Sequence, residues 1–288
     1  MNRKIASLFL TTLLAVFLIP ALLSLFQQAK VVHAATFTVN TTVDEADGEC
    51  ATDCSIRDAI ALAADGDTIY IPTGTYPLSD TLGELSVDKT LIFSGTGTTA
   101  ADVVLEAGAE SRLFGVYDGT STFYNLTLQN GNVISDNGGA INASGYANLI
   151  IINSVITNNQ ATYSGGGIGL EKGDLTLTNS QVISNSAGSN GGGIYDSNGI
   201  ITFTNSEVLT NTAGNNGGGI YVQLSNAELI MNGGKINGNT ANVNDGFPGG
   251  GVYISAGTMT LNEGEVHSNA AFRGGGILVH SSGTLTIN

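Results

Sequence analysis

Residues 189–223 read "SNGGGIYDSNGIITFTNSEVLTNTAGNNGGGIYVQ". NGGGIY occurs twice in this stretch, 26 residues apart, and between the copies stand TNS and VLTN. Working outward, the same glycine cluster recurs as GGAIN at 138, GGGIG at 165, GGGVY at 249 and GGGIL at 274. The aliphatic that closes each cluster is Ile141, Ile168, Ile194, Ile220, Val252 and Ile277, at steps of 27, 26, 26, 32 and 25 residues. Such a period marks a stacked-repeat architecture.

Two further stations recur in each repeat. The first aligns LIIINS, LTLTNS, ITFTNS, LIMNGG, MTLNEG and LTIN on Asn153, Asn179, Asn205, Asn232, Asn262 and Asn288. The second aligns VITN, VISN, VLTN, INGN and VHSN on Asn158, Asn185, Asn211, Asn239 and Asn269. Within the strands residues alternate, as in Leu175-Thr176-Leu177-Thr178, so aliphatics take one face and hydroxyl-bearing residues the other. No segment of the repeat has the period or length of a helix, which excludes βα units. Each repeat then supplies three short strands, each bonded to its counterpart in the next repeat. The fold class is all-β, a right-handed parallel β-helix with three strands per coil.

Glycine and asparagine serve the corners of such a coil. Corners need backbone angles that most L-residues resist, glycine reaches them freely, and asparagine is the next most tolerant. Stacked coils also bring equivalent asparagines together, so Asn158, Asn185, Asn211, Asn239 and Asn269 are expected to form a structural amide ladder. Two rival repeats fail. The Leu-rich strand and helical return of leucine-rich repeats are missing, and so is the nine-residue GGxGxD of calcium-binding nonapeptides.

Composition agrees. The 288 residues include 40 Gly, 4 Pro and only 11 % charged side chains, a balance that favours short strands and tight turns. At the start, Arg3 and Lys4 precede an apolar run from Ile5 to Phe26, and Val32-His33-Ala34 is a small-residue cleavage pattern. Residues 1–35 therefore read as a secretory signal cut after Ala34 or Ala35, the other reading being an uncleaved anchor; either way the chain is exported to the surface or the medium. Without that segment, 6 basic residues face 24 acidic ones, a formal charge of 6 − 24 = −18. Nucleic acid and anionic membrane are poor partners for such a chain, leaving the signal or a C-terminal anchor as its only routes to a membrane. The charge reads as a solubility device ahead of loose divalent-cation binding, because no clustered acidic loop stands out. No metal or other cofactor is expected, calcium having no supporting motif. Cys50 and Cys54, spaced C-x3-C in an exported chain, read as a small disulfide. Zinc is improbable there, with His267 and His280 far along the chain.

Residues 36–66 read as a capping region. In CSIRDAIALAAD, 54–65, Ile56, Ala59, Ile60 and Ala63 share one face of a short helix that would cover the first coil. Residues 67–288 read as the β-helix proper, irregular to about 137 and regular over 138–288. GTLTIN stops in mid-coil at Asn288, which suggests further sequence beyond it.

TFTVNTTVDEADGECATDCSIRDAI resembles the CSLREA motif region of exported bacterial β-helix proteins, with Ile for Leu and Asp for Glu in CSIRDAI. GDTIYIPTGTYPL is similar to the first coil of pectin-lyase-like proteins. The GGGI and GGAI clusters with VxxN resemble the GGAI and FxxN repeats of polymorphic outer-membrane proteins, with Val or Ile for Phe. These resemblances imply a β-helix passenger that acts as a surface adhesin.

Enzymes on this fold group carboxylates on an outer face, with calcium and an Arg or Lys base in lyases or with paired Asp in hydrolases. No such constellation stands out. Asp174, Glu207 and Glu228 fall at different stations, Glu263 and Glu265 form an isolated pair, and Lys235 and Arg273 lack acidic partners at matching positions. Tyr195, Tyr221 and Tyr253 follow the closing aliphatic of consecutive repeats and are expected to stack outward, as a platform for sugar rings or as residues that suit a pleated surface. Asp196 takes the station of Leu170, Val222, Ile254 and Val279. Pointing inward it would be a buried carboxylate with a raised pKa, and the expectation is a bulge that turns it to solvent. The functional reading is an adhesin-like scaffold that binds surface glycans or neighbouring cells without catalysis. The alternative is a lyase or hydrolase of acidic polysaccharide.

Overall fold

Each repeat closes one turn of a coil, and every named strand pair is parallel and links one turn to the next. The computed structural model describes residues 34–242 and 248–288. The expected signal segment lies, up to His33, outside the described residues. Ala35–Asn288 forms one compact unit of about nine turns. It is wound right-handed, the sense in which a twisted strand leads back onto its own sheet. Among the described residues no helix is long and apolar enough to cross a membrane.

Three sheets result, of 15, 8 and 5 strands. One coil serves as the example. Ile168–Leu170 belongs to the eight-stranded sheet, Leu175–Thr178 and Gln181–Ile183 to the largest, and Ser186–Ala187 to the smallest. Between the two segments in the largest sheet the chain bends at a left-handed residue: Asn153 at φ 49°, Asn179 at 48°, Asn205 at 50° and, one coil on, Gly233 at 99°. Asn232 lies one place earlier, opposite Thr204. With Asn262 and Asn288 it forms a separate exposed amide chain, in which Asn262 donates to Asn232 at 2.7 Å. The alignment of all six asparagines is thus two different corners.

The interior is filled in columns. Leu149, Leu175, Ile201, Leu229 and Met259 stack in register, all essentially inaccessible. In the earlier coils Phe93 and Phe123 stack at 5.2 Å, with Phe114 tilted against both at 5.1 and 4.9 Å. Each such side chain contributes roughly 1.5–3 kcal/mol by leaving water.

The amide ladder runs through Asn159, Asn185, Asn211, Asn239 and Asn269. Asn158 is not part of it. In the strand pairing Ile156 faces Val182, so Asn158 aligns with Ser184. It is exposed at the left-handed corner, at φ 55°, where later coils have Ser184, Thr210, Gly238 and Ser268. Reading VITN against VISN slips the register by one residue, and one residue exchanges the inner and outer faces. Within the ladder each Nδ2 donates to the next Oδ1 at 2.9–3.0 Å. It also donates to a main-chain carbonyl of the coil before, as Asn211 does to Val182 at 2.9 Å. A second, serine ladder escaped the sequence reading: Ser154, Ser180 and Ser206 are buried, and each hydroxyl accepts from the main chain of the previous coil.

At the first coil, helix α1 (Ile56–Leu62) buries Ile56, Ala59 and Ile60 in the same core as Ile69 and Leu85. Ser55 caps its N-terminus by accepting from the Asp58 N–H at 3.0 Å. Lys89 donates to the carbonyls of Ile60 and Ala63 at the other end, where a cation complements the helix dipole. Cys50 and Cys54 are disulfide-bonded in the loop that leads into α1.

Candidate functional site

Tyr195, Tyr221 and Tyr253 occupy facing positions on three consecutive strands. Their rings stack at 5.8 and 5.2 Å, 16° and 2° from parallel. Stacking covers both faces of Tyr221 and one face each of Tyr195 and Tyr253, and Tyr221 and Tyr253 are only 8 % exposed. Tyr195 donates its hydroxyl to Gln223 Oε1. Rings stacked on one another and largely buried are a poorer sugar platform than a free face.

More exposed tyrosines lie elsewhere. Tyr70 and Tyr124 are each 40 % exposed on the outer face of the largest sheet, in the row Thr38, Tyr70, Ser94, Tyr124, Ile152. Beside it runs a row made wholly of Thr and Ile: Thr68, Ile92, Thr122, Ile150, Thr176 and Thr202, continued through Ile230, Thr260 and Thr286. The signal for these rows was present in the alternation of each strand. Alignment on the glycines hid it, because the first coils lack them.

Asp196 points inward. It pairs in register with Leu170 and Val222 and is fully buried, so the expected bulge is absent. Oδ1 accepts from the Gly199 N–H at 2.7 Å, and Oδ2 has no partner. Burial in an aliphatic column pushes its pKa up to about 7, with the nearby Asp174 carboxylate adding to the rise.

A constellation that the sequence reading did not find sits on three successive coils. Arg112 pairs with Glu84 at 3.1 Å and with Asp136, and Tyr117 donates its hydroxyl to Glu84. Gly115 makes room for them, since a Cβ there would meet Glu84 Oε1 at 2.3 Å. Burial, then the bond to Glu84, push the Tyr117 phenol up to about 12, too high to act as a base near neutrality. A cleft of about 490 Å³, lined by Arg57, Ile60, Leu85, Lys89 and Tyr117 among others, adjoins the cluster. Arg57 is itself held by two 2.9 Å bonds to Asp44 and by the carbonyls of Gly83 and Glu84. The cations here hold the cap onto the first coils.

Three carboxylates do cluster in the capping loop. Oxygens of Glu45, Asp47 and Asp53 lie within 4.8 Å of one another, and desolvation followed by its acidic neighbours raises the Glu45 pKa. These are the residues that a divalent cation could bridge, and they correct the expectation that no acidic loop is clustered. Two other expectations change. Lys235 faces Glu207 on one side and Glu265 on the other, and Glu265 also meets His267 at 3.5 Å.

No protein-family model and no curated protein sequence matches the chain. Among solved structures, a PL6 family alginate lyase, AlyGC, aligns with a TM-score of 0.39 at 16 % identity. An arginine-to-alanine mutant of that enzyme aligns at 0.37 and 14 %. Each alignment covers 88 % of this chain and 40 % of the enzyme.

Proposed function

We propose that the chain is an exported, adhesin-like scaffold that meets surface glycans through the outer faces of its coils and performs no reaction. The observation that carries this reading is the Thr and Ile row, repeated coil after coil, with Tyr70 and Tyr124 beside it on the early coils. A contact made on one coil is available again about 4.8 Å further along, so weak contacts add up through multivalency. The leader-like start and the CSLREA-like segment support export to the cell surface or the medium. The acidic balance of 24 Asp and Glu against 9 Lys and Arg favours neutral glycans over polyanions.

A second reading, a polysaccharide lyase or hydrolase, draws on the Tyr117, Glu84, Arg112 and Asp136 cluster beside its cleft. One experiment separates the two. The purified chain is incubated with neutral and acidic polysaccharides, with and without calcium, and both retention and product length are measured. Retention of intact glycan supports the scaffold. Shortened chains or new unsaturated ends would overturn it in favour of the enzyme.

A further inference from the structure

The row Thr38, Tyr70, Ser94, Tyr124, Ile152 contains two large rings with one small residue between them. Thr38 adjoins Tyr70 and Ile152 adjoins Tyr124 on the outer sides of the pair, so Ser94 is the small residue that separates the two tyrosines. Both tyrosines are 40 % exposed. The hydroxyls of Tyr70, Ser94 and Tyr124 bond to no other described residue. Ile92, two residues before Ser94 on the same outer face, extends an apolar floor along the strand.

Size decides what such a notch admits. Tyr70 and Tyr124 are two strands apart, about 9.6 Å. An aromatic ring held between two others at van der Waals contact needs about 7 Å and would be loose here. A puckered pyranose, with a contact of about 4 Å on each side, needs about 8–9 Å. Its axial C–H groups would meet the ring faces and its equatorial hydroxyls would reach the three unpaired side-chain hydroxyls. The charge of the chain, −15 overall, disfavours a uronate in the notch.

We propose that Tyr70 and Tyr124 clasp one neutral pyranose ring of a glycan over Ser94. This assignment rests on the reading that the outer face meets glycans and names one subsite of that face. It places the specific contact on the first coils and leaves the Thr and Ile row to support the rest of the polymer.

The test titrates the full chain with neutral β-linked gluco-, xylo- and manno-oligosaccharides, following tyrosine emission, which is undisturbed because the chain has no tryptophan. Calorimetry provides a second readout. Tyr70→Ala and Tyr124→Ala are each expected to weaken binding about tenfold, the worth of one aromatic contact, and Ser94→Tyr to abolish it by filling the notch. Tyr146→Ala, at a ring 75 % exposed outside the row, leaves binding unchanged. Thermal unfolding of each variant confirms that the coils are intact. Undiminished binding in Ser94→Tyr and both alanine variants overturns the notch and leaves the glycan-binding reading standing. Failure of the unaltered chain to retain any oligosaccharide or polysaccharide overturns both.

Discussion

A Cβ on Gly193 would lie 3.0 Å from Nδ2 of Asn211, so the asparagine amide fills the space that the glycine leaves. The same pairing holds between Gly167 and Asn185 and between Gly219 and Asn239. The glycines and asparagines of the repeat are therefore two sides of one packed inner corner. The first glycine of the cluster, Gly191 at φ 63°, turns the chain. A Cβ on the second, Gly192, would meet the Gly218 carbonyl of the next coil at 2.3 Å.

Removing an amide from this ladder strands buried partners. Asn211→Ala deprives the Asn185 main-chain N–H and side-chain amide of their shared acceptor and leaves the Val182 carbonyl one donor short. A loss of roughly 2–4 kcal/mol is expected from denaturant unfolding. Asn159→Ala should cost a similar amount, whereas Asn158→Gly, at an exposed left-handed corner, should stay within about 0.5 kcal/mol. Equal losses at 158 and 159 would refute the register.

Asp196 makes stability depend on pH. Its carboxyl keeps its proton to about 7 in the folded chain but loses it near 4 when unfolded. Between these values the folded state binds more protons, so this group's contribution falls as pH rises from about 4 to about 7 and is level above. The total is on the order of a few kcal/mol. Asp196→Leu, matching Leu170 in the column, should unfold at a higher temperature than the parent at pH 8 and show little difference at pH 4. A parent melting temperature flat across this window would contradict the burial of a carboxylate with only one oxygen hydrogen-bonded.

The Tyr117 phenol should titrate well above the ordinary phenol range, at about 12. The Glu84 bond adds to the effect of burial, so Glu84→Gln is expected to move one phenol downward in a spectrophotometric alkaline titration. An unchanged titration curve would remove Glu84 from the account.

Lys235 stands between two acids on neighbouring strands. Lys235→Glu places three like charges in a row and should cost about 0.5–1 kcal/mol. Because the site is at the surface, added salt should erase most of the loss; a loss insensitive to salt would point to packing instead.

The coil was legible in the chain itself. A two-residue alternation without any helical period, interrupted by glycine clusters about every 26 residues, admits few structures other than stacked parallel turns. The cap was legible as well, from the apolar face of 56–63. The contacts across coils could be read only in part: the tyrosine stack and the ladder from Asn185 to Asn269 follow from the repeat, and others do not. Asn158 and Asn159 are chemically the same and adjacent, and only the pairing of Ile156 with Val182 decides which one faces inward. Asp196 breaks the aliphatic pattern of its station, which favours exposure, yet the hydrogen-bonded strands on both sides hold it in line and bury it. Glu84, Arg112 and Asp136 meet only because their coils stack, and the Tyr70 and Tyr124 notch exists only because one coil separates them. Periodicity is a property of the chain and survives in its sequence. Register is set by hydrogen bonds between residues some 26 positions apart, and a one-residue slip in that register reverses every side chain.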